Sequence, residues 1–166
     1  MRKALLFLHL LGFAIFLGSI PGHIVLGQLA GSADSLSGLA ILQQAKHASI
    51  LALTLPGLML TTASGLGLLS TKRELLRTGW MRLKLGLALL VVLNGVAILS
   101  PLGAEIAALA ADAAASGAVP PALSGLEARE SLLGAANVLM VLAIVALAVG
   151  RPRLHRLTRS STAPAI

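Results

Sequence analysis

The chain has 166 residues, 57% of them apolar and 11% charged, with a formal charge of +7. Soluble domains carry roughly a quarter charged residues, so the composition points to the bilayer as solvent and the length to a single domain. Cysteine is absent, which removes disulfides, thiolate metal sites, iron–sulfur clusters and thiol catalysis. Aromatic residues make up only 2% and the cations fall in short clusters between apolar runs, which argues against nucleic acid as a partner.

A membrane-crossing helix needs about 20 apolar residues, and the sequence supplies four such stretches, at about 4–30, 47–70, 80–102 and 131–150. Each reads as helix because an isolated apolar strand leaves its backbone groups unpaired in lipid. The expected fold is therefore all-α, a four-helix transmembrane bundle over residues 1–150 followed by a basic cytoplasmic tail at 151–166. The first stretch opens Met1-Arg2-Lys3, as a secretory signal peptide does. Its apolar run outlasts a signal core of about 7–15 residues and no A-x-A site follows, so it reads as a retained span.

Residues 31–44 read as a polar loop containing Gly and Ser. Pro56-Gly57 predicts a kink near the centre of span two, and residues 71–79 form a tight inner connection. The third connection, 103–124, begins as an Ala-rich stretch in which Glu105 and Asp112 share a helical face. It then reaches Pro120-Pro121, so a short surface helix is expected there. Ser124-Gly125-Leu126-Glu127 has capping-box spacing ahead of span four.

Orientation follows from the cations, because Lys and Arg beside short loops stay on the cytoplasmic side. Arg2 and Lys3, then Lys72, Arg73, Arg77, Arg82 and Lys84, then Arg151, Arg153, Arg156 and Arg159 share one side, eleven of the thirteen Lys and Arg residues. The other side carries Lys46 and Arg129 with Asp34, Glu105, Asp112, Glu127 and Glu130. Both termini are thereby placed inside, with the lipid bilayer as the first partner.

Polar groups within spans are costly and mark functional hypotheses. His9 and His23 are fourteen residues apart, which leaves them about 40° from eclipsed and roughly 21 Å apart along the axis. Gly12, Phe16 and Ser19 lie on the same face, with small side chains where a flat macrocycle could approach. The spacing matches that of b-type membrane cytochromes holding a haem near each leaflet. His47 falls in the same outer half as His23, so a bis-histidine haem between spans one and two is one reading. Lys84 belongs to the inner end with His9. The alternatives stay open: His9 and His47 near the interfaces can simply be solvated, and Lys84 can snorkel to the inner headgroups. Asn94 and Asn137 read as hydrogen-bonding groups between helices, and Gly18-x-x-x-Gly22 as a surface for close approach in a homodimer or larger homo-oligomer.

The runs Leu8-His9-Leu10-Leu11-Gly12, Phe16-Leu17-Gly18, Pro56-Gly57 and Ser64-Gly65-Leu66-Gly67-Leu68 resemble a family of bacterial integral membrane proteins of unknown function, over about the first 70 residues. Trp80-Met81-Arg82-Leu83-Lys84-Leu85 resembles the start of the third span in HemJ-type protoporphyrinogen oxidase and in the copper-resistance D membrane domain. In the HemJ type, a histidine early in span one is implicated in haem ligation and a lysine early in span three belongs to the motif. His9 and Lys84 occupy those positions, whereas Arg82 stands where those enzymes usually carry histidine. The resemblance implies a four-span bundle in the bacterial inner membrane.

The leading expectation is a haem b-binding protein acting in electron transfer or in haem and porphyrin handling. His9, His23 and His47 are its candidate metal ligands, Lys84, Gly12 and Ser19 line the cofactor, and an electron donor or acceptor is its partner. A haem-dependent membrane oxidoreductase is one form of that activity. The alternatives are a copper or small-solute transport module, using the dispersed Met59, Met81 and Met140, and a structural subunit of a larger membrane complex.

Overall fold

A computed structural model describes residues 1–71 and 73–150; Lys72 and the expected basic tail at 151–166 lie outside the described residues. Four long helices run up and down: α1 (Arg2–Gly31), α2 (Leu36–Ser70), α3 (Gly79–Ser116) and α4 (Ala122–Gly150). All four are long and apolar enough to cross a membrane, and the chain is a multi-pass, all-α membrane protein. Large apolar side chains such as Phe7, Leu10, Ile24, Val25, Leu89, Leu132 and Leu139 point outward. In water that would be a liability; in a bilayer it is the lipid-facing surface.

Along the seam between α1 and α2 the two backbones come into direct contact. A Cβ built on Gly57 would stand 2.6 Å from the Phe16 backbone nitrogen, and one on Gly12 would stand 2.7 Å from the Thr61 nitrogen. Only glycine at both positions lets the two backbones meet this way, the small-residue packing that replaces hydrophobic drive in lipid. Below and beside this seam Phe16, Leu58, Val91 and Val141 bring all four helices into one buried cluster. Asn94 ties α3 to α4, its amide donating to Leu133 O at 3.1 Å and to Asn137 Oδ1 at 3.3 Å.

Two helices carry internal π turns, at Ile50–Thr54 in α2 and Asn94–Leu99 in α3. Each stands just before a proline, Pro56 and Pro101. Proline lacks an N–H and its ring clashes with the carbonyl four residues back, here Ala52 and Ala97, and a widened turn relieves that clash without ending the helix. The kink expected from Pro56-Gly57 thus takes the form of a π turn one step earlier.

The outer connections differ from expectation in length. α2 begins at Leu36, with the Ser35 hydroxyl accepting from Gly38 N at 3.1 Å as an N-cap, so most of 31–44 is helix. The helix expected in the third connection is present as Ser100–Ser116. It continues α3 through the π turn and is not a separate surface element. It ends at Gly117, left-handed at φ 74, where glycine avoids the Cβ penalty. Pro120-Pro121 then separate α3 from α4, as their inability to continue a helix requires.

At 35 and 38 residues, α2 and α3 are about 52 and 57 Å long, well beyond the roughly 30 Å of the hydrocarbon core. Their outer turns pack together with the start of α4 around Leu102, Ile106 and Leu123. Ile106, Ala110 and Ala113 are fully buried. The bundle therefore has a membrane layer and an outer helical layer built from the same helices.

Candidate functional site

Antiparallel pairing of α1 with α2 sets the depth of each histidine. His9 lies on the inner half: its Nδ1 is 2.8 Å from Thr61 O, and its ring rests against Gly65, where a Cβ would come within 3.0 Å of Cε1. Moving outward, Gly12 meets Thr61, Phe16 meets Gly57, and Ser19 accepts a hydrogen bond from Thr54 Oγ1 at 2.9 Å. One turn farther along the same register, His23 comes level with Ile50.

His23 Nδ1 lies 3.1 Å from Ser19 O, the carbonyl four residues back whose amide partner His23 itself supplies in the helix. Its Nε2 is buried and, among the described residues, has no hydrogen-bond partner. Ser19 is held in turn by its own hydroxyl donating to Phe16 O at 2.8 Å. Thr54, Ser19 and His23 thus form a short polar column where α1 crosses the π turn of α2.

Gly12 and Ser19 do not leave an open face. The space in front of them, which the sequence reading assigned to a macrocycle, is filled by the Gly57–Thr61 backbone and by Thr54, because the same small side chains that would admit a cofactor admit the neighbouring helix more closely. Their role in this structure is helix contact. Lys84 is half-buried on the inner part of α3, and no hydrogen bond links it to His9 among the described residues.

His47 is placed differently from the other two. Its Nδ1 is buried without a partner among the described residues and looks onto Gly103 of α3, where a Cβ would stand 3.7 Å from Nδ1 and 3.8 Å from Glu130 Oε1 of α4. By the α1–α2 register it is about one turn, or 4.5 Å, farther out than His23.

Around His47 the structure assembles a polar cluster that the sequence reading placed in outer loops. Lys46 Nζ bonds Glu130 Oε2 at 2.6 Å, with side-chain exposures of only 8% and 14%. Gln43 Nε2 donates to Glu127 Oε1 at 2.6 Å. Both rungs join α2 to α4, which run in the same direction, and are three residues apart on each helix. Glu127 therefore serves Gln43, not the capping box its spacing suggested. A three-residue stagger of polar side chains between the two segments, 43/46 against 127/130, was the signal available in the sequence.

Outside this cluster, at the outer rim, a cavity of about 340 Å³ is lined by Asp34, Ser35, Leu39, Leu123, Ser124 and Glu127. Among the described residues, no three His, Cys, Asp or Glu side chains converge as a metal-binding group. Met59 is 62% exposed and faces outward. A site for haem requires less convergence, since each axial position takes one imidazole. The His23 ring is fixed at Nδ1 by Ser19 O, and among the described residues its buried Nε2 has no hydrogen-bond partner.

The fold and these sites define a multi-pass four-helix membrane protein with a buried polar layer in its outer half. No protein-family model, curated protein or solved structure matches the chain.

Proposed function

We propose that the protein binds haem b through His23 and acts in electron transfer or in haem and porphyrin handling, with His47 and His9 as candidates for further axial positions. The observation that carries this reading is the buried Nε2 of His23, which has no partner among the described residues. With Nδ1–H donating to Ser19 O, the lone pair is on Nε2. Metal-bound imidazoles are usually oriented in this way, by donation from the other ring nitrogen. His9 Nδ1 likewise lies 2.8 Å from a backbone carbonyl, Thr61 O.

Haem held there would supply a one-electron carrier whose potential follows its axial ligands and burial. The chain's own residues orient and seal: the Ser19 carbonyl fixes the His23 ring, and Thr54 and Phe16 hold Ser19. The similarity of Trp80–Leu85 to the HemJ-type span supports the same reading, and a bacterial inner membrane belongs to the proposal. A redox partner and a homo-oligomer belong to the proposal.

In detergent, protein expressed with ample haem is expected to show b-type bands in a reduced-minus-oxidised spectrum. Their absence removes the reading. Where bands are present, His23→Ala is expected to abolish or shift them, and an unchanged spectrum takes His23 out of the site.

A further inference from the structure

On the outer turns of the bundle, one anion and one cation stand on the surface turned away from α2. Glu105 of α3 and Arg129 of α4 are both exposed, and neither joins a salt bridge among the described residues. Each occupies the same place on its helix. Glu105 has Leu102 three residues before it and Leu109 four after; Arg129 has Leu126 three before it and Leu133 four after. Those four leucines pack in the outer apolar cluster where α3 meets α4, so at helical period both charges flank that seam. Gly103 beside Leu102, and Glu127 and Glu130 on α4, face α2 instead, which puts Glu105 and Arg129 on the seam's outer edge.

The two charges also match in depth. Gly103 and Glu130 meet across the seam. From there α3 runs outward to Glu105, and α4 comes inward from Arg129, so the two Cα atoms lie within about one 5.4 Å turn of each other along the bundle. Side chains lean toward the N-terminus of their helix, inward on α3 and outward on α4, which brings the carboxylate and the guanidinium toward one level. Beside them the surface is small: Ala108 and Gly125 are exposed, and nothing lies within 4 Å of a Cβ added to Gly125.

A two-fold axis along the membrane normal carries every residue to the same depth in a second copy, and a two-fold contact must be complementary to itself. A face that presents a carboxylate on α3 and a guanidinium on α4 at one level meets that requirement. Turned through half a revolution, α3 lies over the partner's α4 and each charge opposes its opposite. The small residues beside them admit the close approach that drives helix association in lipid. We propose that a second copy of this chain docks on the outer α3–α4 seam, with Glu105 pairing with Arg129 of the partner subunit and Arg129 with Glu105 of the partner subunit. This gives the homo-oligomer of the proposed function an interface, on a different helix pair from Gly18 and Gly22, and it holds whether or not haem is bound.

Two differently tagged copies are co-expressed, purified in mild detergent through one tag and scored for the other, with native mass giving the number of chains. The unaltered pair is expected to co-purify as two chains, and recovery of single chains alone overturns the proposal. Glu105→Arg with itself, and Arg129→Glu with itself, set like charges opposite each other, which suppresses pairing. Co-purification is then expected to fall at least about tenfold, and an unchanged yield in either case overturns the proposal. Glu105→Arg co-expressed with Arg129→Glu sets a cation against an anion at both contacts and is expected to restore the dimer. That recovery requires the charges to meet between chains, and it shows that both variants fold. No recovery from variants that are each monodisperse overturns the proposal. Because the chain has no cysteine, a further check needs no charge reversal. Copies carrying Glu105→Cys and Arg129→Cys are expected to be joined by a short bis-maleimide, and absence of that link overturns the pairing.

Discussion

Replacing Gly57 with alanine tests the seam on which the whole arrangement of α1 and α2 depends. The added methyl would meet Phe16 N at 2.6 Å, Phe16 Cα at 3.0 Å and Gly12 O at 3.0 Å, all of them backbone atoms. Against the 3.4 Å at which ordinary contact begins, the closest pair is 0.8 Å too near, and no rotamer change can relieve it. The helices must separate. Overpacking of this kind costs about 1–3 kcal/mol, offset by the roughly 0.5–1 kcal/mol that alanine gains over glycine inside a helix. A net loss of up to about 2.5 kcal/mol, centred on about 1, follows from these opposing effects. Gly12→Ala should behave similarly, with Thr61 N at 2.7 Å and Gly57 O at 3.0 Å. Gly18→Ala is the control: nothing lies within 4 Å of its added methyl, so only the helical gain remains and the sign reverses. Denaturant titration of the three variants in mixed micelles measures the difference. If Gly57→Ala and Gly18→Ala shift stability alike, the close approach of α1 to α2 is refuted.

Lys46→Met leaves the Glu130 carboxylate buried and unpaired and is expected to cost about 3–5 kcal/mol, while Lys46→Met with Glu130→Leu recovers most of the loss. A double-mutant cycle on unfolding reads the coupling, and single-variant costs below about 1 kcal/mol would mark the pair as solvated. Asn94→Leu removes the amide bonds to Leu133 O and Asn137 Oδ1. Interhelical hydrogen bonds in membranes average about 0.6 kcal/mol and reach about 1.7, so a loss in that range is expected in the same titration, and a gain would indicate that the amide is unsatisfied.

Hydropathy alone was sufficient for the four spans, because about 20 successive apolar residues have few uses outside a bilayer. The break at Pro120-Pro121 was also legible, since proline's missing donor acts locally. The outer start of α2 was not. Its buried face includes Gln43 and Lys46, whose Nε2 and Nζ bond Glu127 and Glu130 more than eighty residues away, while Ser37 and Gln44 on its other side, and Ser32, Asp34 and Ser35 before it, stay exposed.

The same distinction applies to the candidate site. The spacing of His9 and His23 placed both on one face of α1, which is a property of helical period. Whether that face was open depended on what packed against it, and α2 brings Gly57 and Thr61 directly onto Gly12. Which ring nitrogen each histidine leaves free was likewise decided by carbonyls at Ser19 and Thr61. The sequence by itself determined the solvent and the number of crossings, since these rest on composition summed along the chain. Only the tertiary structure decided where the polar groups meet, because a buried donor's partner is chosen by helix register across the bundle, and no local pattern contains that register.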